Sequence, residues 1–389
     1  MLAEFLAEKW GSYTTATRKH VLAVLVGALL TNAGTTFLLS EGFIAKFDDN
    51  LATPMFQLSL AFLCAFIGTS LCIFTPFGGG AGGGLPPLMS LWNQHSHEIA
   101  FLVLTTFGTL NARSASTIVM SETPISLTLL ATPLFMPLLA VMFERERDGT
   151  VRQYGLWPCC FRTPNTTNPY YGVFPGLALI VATCCVAVYR ANTLRTGLGV
   201  ALAVVALILE VTSLVSAAVI LGRGKPDMRT PLYLAWWVSL LAVPLFLIAS
   251  LPFHEAERIA TFWSTRTGDA VIIYGAIALC GAGALVLRYM LIHAASMLTM
   301  SIVFATSLAL SAVIVMCLHA PGPGPWNWCG FLLTFGAVYA HYFYMREREK
   351  RTPPIADAES GKGASPANET SALVDPAGAK KSSTDCAIA

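Results

Sequence analysis

The sequence predicts an all-α integral membrane protein of about ten transmembrane helices in two inverted five-helix repeats. Three observations carry that prediction. Hydrophobic residues make up 55% of the 389 residues and charged residues only 12%, about half the share a soluble domain uses to cover its surface. Apolar stretches long enough to cross a bilayer, about 20 residues each, recur from His20 to Tyr344. Two stretches of the first half also reappear, in order, in the second.

The apolar stretches fall at 21–41, 55–75, 98–119, 123–143, 171–190, 197–222, 231–252, 269–289, 293–318 and 326–345. In lipid each must satisfy its own backbone hydrogen bonds, which a helix does, and the alternating polarity of a β-barrel is absent. The organisation that follows is a cytosolic N-terminal segment (1–20), a first five-helix half (21–190), a second half (197–345) and a disordered cytosolic tail (346–389). The N-terminal segment contains Glu4 and Glu8 and fits neither a cleaved secretory signal nor an organellar transit peptide.

Within the first half lie a Gly-rich loop at 76–97 and a polar cytosolic loop at 144–170. Gly78–Gly84 lacks the Lys-Ser/Thr ending of a phosphate loop and reads as a linker. The 144–170 loop holds the sequon Asn165-Thr166-Thr167, which goes unused on the cytosolic side. The tail, rich in Ala, Pro, Ser and Lys, ends Cys386-Ala387-Ile388-Ala389 in the form of a prenylation box. A chain with this many spans needs no lipid anchor, so a chance match is the better reading.

Basic residues set the orientation. With the N-terminus cytosolic, that side collects Lys9, Arg18, Lys19, the arginines of 144–170, Arg223, Lys225, Arg229, Arg288 and the basic run after Tyr344. The far side receives only Lys46, Arg113, Arg190, Arg195, Arg258 and Arg266. Both termini are then cytosolic. The net charge of +2 offers no basic face to a nucleic acid. The ten cysteines scatter mostly through apolar runs and spell neither a zinc site nor a disulfide framework. No metal and no cofactor are expected.

The internal similarity has a separation near 180 residues. Arg113-Ser114-Ala115-Ser116-Thr117-Ile118-Val119-Met120-Ser121 aligns with His293-Ala294-Ala295-Ser296-Met297-Leu298-Thr299-Met300-Ser301. Thr53-Pro54 to Pro76-Phe77, around span two, aligns with Thr230-Pro231 to Pro252-Phe253, around span seven. An odd number of helices per half forces the two copies into opposite orientations, the plan by which secondary transporters alternate access to a site at the midplane.

At these residues the chain resembles the triose-phosphate and nucleotide-sugar transporters of the drug/metabolite transporter superfamily. Tyr171-Gly172-Val173-Phe174-Pro175-Gly176 through Thr196-Gly197-Leu198-Gly199 looks like that family's join between helices five and six. Ser296-Met297-Leu298-Thr299-Met300-Ser301 is similar to its Ser-Ala-Leu-Thr-Leu-Ser signature, and Trp326-Asn327-Trp328-Cys329-Gly330-Phe331 through Tyr344 to its last helix. The resemblance implies ten helices and an antiporter exchanging a nucleotide sugar or sugar phosphate across a Golgi or endoplasmic reticulum membrane. Where family members that carry phosphorylated solutes place lysines, this sequence has Glu122 and Ser307. The substrate is then less anionic or held by other residues.

Ionisable groups inside spans are costly and mark function by default. Arg113 near the end of span three, Glu122 after a short turn, Glu210 in the middle of span six, and Arg288 and His293 around the junction of spans eight and nine are the candidates. Long stems let Arg113, Glu122 and Arg288 reach the interface instead. Glu210 lies too deep for that. It pairs with an arginine, stays protonated, or takes part in coupling. Arg113 and Arg288 would offer charge to an anionic group, with Glu210 responding to occupancy. Ser116, Tyr289, Ser296, Thr299 and Ser307 are hydrogen-bonding candidates, the serines competing with a plain helix-contact role. Trp236, Trp237, Trp263, Trp326 and Trp328 read mostly as interfacial belt residues.

An enzyme would need an acidic or metal-binding cluster at a membrane face. Glu144, Glu146 and Asp148 come closest, but Arg145, Arg147 and Arg152 alternate with them as on a solvated helix end. A non-transporting membrane scaffold is the remaining class. The partners expected are a small-molecule substrate and membrane lipid, with a homodimer left open.

Overall fold

The computed structural model describes residues 15–40, 53–74, 85–119, 122–136, 174–189, 196–223, 230–295, 297–318 and 322–351. These residues form α-helices and one 3-10 turn, with no strand among them. Residues Met1–Arg346 make one compact unit; of the second, Glu347–Ala389, the described part is the end of the last helix. The Gly-rich segment 78–84, the 144–170 loop with its sequon, Ser296 and the tail beyond Arg351 lie outside the described residues.

The helices, in chain order, are α1 (Thr15–Leu38), α2 (Pro54–Phe74), α3 (Leu85–Val119) and α4 (Glu122–Leu129), which turns at Leu130–Ala131 and resumes to Met136. There follow α5 (Phe174–Val188), α6 (Gly197–Arg223), α7 (Thr230–Ser250), α8 (Glu255–Thr265), α9 (Thr267–Ala294), α10 (Met297–Leu318) and α11 (Pro325–Arg351). Five are long and apolar enough to cross a membrane: α2, α6 over Gly197–Leu221, α7, α9 and α10. Shorter apolar helical stretches run over Leu22–Leu38, Ile125–Met136 and Pro175–Val188. Exposed Leu30, Leu71, Ile208, Ile248 and Leu279 give these helices apolar outer faces, as contact with lipid requires.

Three local features differ from expectation. α3 begins at Leu85, inside the segment expected as loop up to 97, because Pro86 and Pro87 occupy a first turn where proline costs no hydrogen bond. The helix then kinks at His95 (φ −134°, ψ 22°). The two stretches aligned in the sequence also end differently: α3 runs on past Ser116 to Val119, whereas α9 stops at Ala294 and α10 begins at Met297. His293 therefore sits in the last turn of α9 rather than opening the next span.

The third difference is α8, which lies in a segment expected to be a connection. Leu251–Phe253 forms a 3-10 turn and His254 adopts a left-handed conformation (φ 52°), so the chain turns sharply before the new helix. The signal was an i, i+3/i+4 apolar pattern (Ile259, Phe262, Trp263) in a run too short and charged to cross a bilayer.

α3 runs along α6, and α9 runs along α1; α2 lies against α7. α9 also meets α2 as α7 meets α3, and α10 meets α1 as α4 meets α6. Small residues permit the close approaches. A Cβ added at Gly281 would lie 2.5 Å from Ala61 Cβ, one at Gly283 2.8 Å from Thr31 Cγ2, and one at Gly108 2.9 Å from Leu209 Cδ1. The main core runs through α1–α7 and α9–α11. A second, smaller core at one end joins Phe262 of α8 to Ala270, Ile273, Tyr274 and Ile277 of α9 and to Phe56 of α2.

Candidate functional site

The ionisable residues on α6 and α9 meet inside the bundle. Glu210 is half-way along α6, among apolar neighbours that hold the helix in the core. Arg288 comes from α9, and its Nη1 lies 3.0 Å from Glu210 Oε1, the side chains being 14% and 6% exposed respectively. The contact is one of charge, since Glu210 Oε1 accepts no hydrogen bond of good geometry among the described residues; Arg288 Nη2 donates its hydrogen bond to Ser213 Oγ at 2.6 Å. Ser213 is one turn beyond Glu210 and in turn donates to the Glu210 carbonyl (2.9 Å). The third nitrogen, Nε, has no hydrogen-bond partner among the described residues. Glu210 thus has an arginine, Arg288, at ion-pair distance. Arg288 does not reach for the interface.

Tyr289, next in α9, is fully buried and lies beside Thr106 of α3. Four helix-borne groups thus converge where α6, α9 and α3 approach: Glu210, Ser213, Arg288 and Tyr289. Ser213 was missing from the sequence reading, since nothing but its spacing from Glu210 distinguishes it from the other serines.

The remaining candidates are dispersed. Ser116 is wholly buried near the end of α3, with no hydrogen-bond partner for its hydroxyl among the described residues. Arg113 is half-buried on the same helix. Glu122 opens α4. Thr299 is half-buried in the first turn of α10. Ser307 is buried and donates to the Phe304 carbonyl of its own helix at 2.7 Å, which satisfies its hydroxyl locally.

Two tryptophans read as belt residues instead belong to a packed cluster. Trp237 stacks on Trp92 (centroids 4.5 Å) and meets Trp236 edge-on (4.9 Å). Trp237 Nε1 donates to the Leu88 carbonyl (3.0 Å) and Trp236 Nε1 to Ser70 Oγ (2.8 Å). Each of the two indole N–H groups therefore has an acceptor, and the cluster ties α2, α3 and α7 together one turn from the His95 kink. Trp263, Trp326 and Trp328 remain exposed.

A second buried acid lies outside the spans. Glu255, first residue of α8, accepts hydrogen bonds from Met55 N–H (3.1 Å) and Phe56 N–H (2.7 Å) at the start of α2. These are donors that a helix leaves unpaired, at its positive end. Burial nevertheless pushes the carboxyl above its ordinary value, against the lowering pull of the two N–H groups and of Arg258. Nearby, Thr53 Oγ1 and the Tyr274 hydroxyl lie 3.2 Å apart and share a hydrogen bond. No group of three or more His, Cys, Asp or Glu residues able to hold a metal occurs among the described residues.

No family model matches the chain, and no curated protein matches it. A solved structure described only as "Crystal structure of protein" is similar in fold, with a TM-score of 0.56 and 14% identity over 84% of this chain and 98% of that one. At that identity the likeness shows a shared fold and is silent on activity.

Proposed function

We propose that the chain is a secondary transporter of ten spans in two inverted five-helix halves, exchanging an anionic small metabolite across an internal membrane. A nucleotide sugar or sugar phosphate remains the substrate class, in a Golgi or endoplasmic reticulum membrane with both termini cytosolic. The observation that carries this reading is the Arg288–Glu210 pair, a costly charge pair kept between two core helices. Arg288 retains an N–H without an acceptor. A solute oxyanion can take that donor and compete with Glu210 for the guanidinium, so that occupancy is sensed by the carboxylate it displaces.

The inverted-repeat reading draws support from helix packing. Exchanging α1–α5 for α6, α7, α9, α10 and α11 turns the α3–α6 contact into α9–α1, α4–α6 into α10–α1, and α7–α3 into α2–α9, all of which occur. The α2–α7 contact maps onto itself. Other contacts, such as α7–α9 and α5–α10, stand outside this exchange; where contacts are equivalent, two openings of one structure can lie close in energy. Because Glu210 already neutralises Arg288, a less anionic solute is the second reading.

Purified protein in proteoliposomes, preloaded separately with nucleotide monophosphate, inorganic phosphate or buffer, tests the proposal by counterflow of labelled nucleotide sugars and sugar phosphates. Exchange dependent on one preload is expected. Folded protein that exchanges none of them overturns the anionic-metabolite reading.

A further inference from the structure

A groove of about 790 Å³ opens between the end of α7, the start of α2 and the short helix α8, within the range of about 300–1,000 Å³ typical of sites for small molecules. Its walls are Leu247, Ile248 and Leu251 on one side and Ala256, Ile259, Ala260 and Trp263 on the other, with Phe56 between. The two serines that line it are already satisfied. Ser250 Oγ donates to the Leu247 carbonyl (2.7 Å) and Ser264 Oγ to the Thr261 carbonyl (2.9 Å). Both hydroxyl hydrogens are thus used within their own helices, and the surface offered to an occupant is mostly apolar, which favours an apolar one.

The faces of α8 explain the orientation. Glu255 and Phe262 point inward, the first bonded to α2 and the second buried against Tyr274 at a ring separation of 6.0 Å. Glu257, Arg258, Thr261 and Thr265 form an exposed polar face. Ala256, Ile259, Ala260 and Trp263 form the third face, toward the groove. A short helix with one watery and one apolar face lies in the plane of a membrane interface, and a half-exposed tryptophan suits that depth. The opposite wall, Leu247, Ile248 and Leu251, is continuous with the exposed apolar outer face of α7, the surface that meets lipid.

We propose that this groove is a binding site for one acyl chain of a membrane phospholipid, with α8 as an interfacial helix closing over it. The inference rests on α7 and α9 spanning a membrane, though not on transport. A chain in bulk lipid is already in apolar surroundings, so binding gains from close contact on several sides rather than from the hydrophobic effect.

The test uses full-length protein in nanodiscs of phosphatidylcholine carrying a photoreactive group on one acyl chain, with adducts mapped by mass spectrometry. Labelling of Leu247–Ser264 should exceed that of the exposed face of α9 around Ile272 and Leu279 by at least about threefold, worth about 0.7 kcal/mol. Ala260→Trp, which fills the groove, should lower it to the level of that face; Ala256→Leu, a smaller change on the same wall, should lower it in part. A photo-crosslinking amino acid at position 260 should join to phospholipid. Equal labelling of groove and outer faces, labelling indifferent to both variants, or joining to a second copy of the chain would overturn the proposal. If the outer faces of α6 and α9 also fail to label, the membrane-spanning reading itself has failed.

Discussion

Removing one partner of the Arg288–Glu210 pair should leave a charge stranded in the bundle, and the energetic signature of that is specific. At 3.0 Å the attraction between unit charges is about 5.5 kcal/mol at an effective dielectric constant of about 20. Desolvation of both groups opposes it, and the measured consequence of deleting one side of a buried pair is typically about 3–5 kcal/mol. Arg288→Gln and Glu210→Gln should each lower stability by about 3 kcal/mol or more. The double variant should recover about 2 kcal/mol relative to the sum of the two, since neutral amides can bond to each other and to Ser213. Denaturant unfolding of the purified protein in detergent, followed by tryptophan fluorescence, gives the cycle. Additivity of the two single changes to within about 0.5 kcal/mol would refute the claim that these residues act as a pair.

Three further outcomes follow from the packing and the caps. A Cβ at Gly330 would collide with the Ala187 backbone nitrogen and with the Val186 carbonyl carbon at 2.8 Å, whereas one at Gly336 would meet nothing within 4 Å. Gly330→Ala should therefore lower the unfolding free energy by about 1–3 kcal/mol and Gly336→Ala raise it by about 0.5–1 kcal/mol. Asn327 Nδ2 donates to the carbonyls of Ala187 (3.0 Å) and Tyr189 (2.9 Å) at the end of α5. Asn327→Asp replaces those donors with an anion at a negative helix end and should cost about 1–3 kcal/mol in the same measurement. Burial raises Glu255 above its ordinary value of 4.5, so between that value and its folded value the native state holds more proton than the unfolded state. Stability should fall as pH rises through that window and level off above it. The unfolding midpoint against pH checks this, and Glu255→Gln should flatten the slope.

Helicity was legible from hydropathy because a bilayer admits few alternatives, and α2, α6, α7, α9 and α10 stand within a few residues of the apolar runs that predict them. Glu210 was conspicuous for the same reason: a carboxylate in the middle of an apolar helix demands an explanation. Its partner was not legible. Arg113 and Arg288 had equal claims in one dimension, and only the packing of α9 near α6 brings Arg288 to it. α8 escaped notice because hydropathy windows suited to spans average away an eleven-residue amphipathic helix. Trp236 and Trp237 lie near a span end, as belt residues do, but their burial depends on Trp92, Phe66 and Ser70 from two other helices.

The most direct test of the central claim is counterflow measured side by side for wild type and for the Glu210→Gln/Arg288→Gln double variant, both shown to be folded. The wild type should exchange labelled solute with one of the preloads, and the double variant should retain its fold and exchange none. Equal exchange by the two would make the pair a purely structural element. No exchange by folded wild type with any preload would contradict the proposal that the chain exchanges an anionic metabolite.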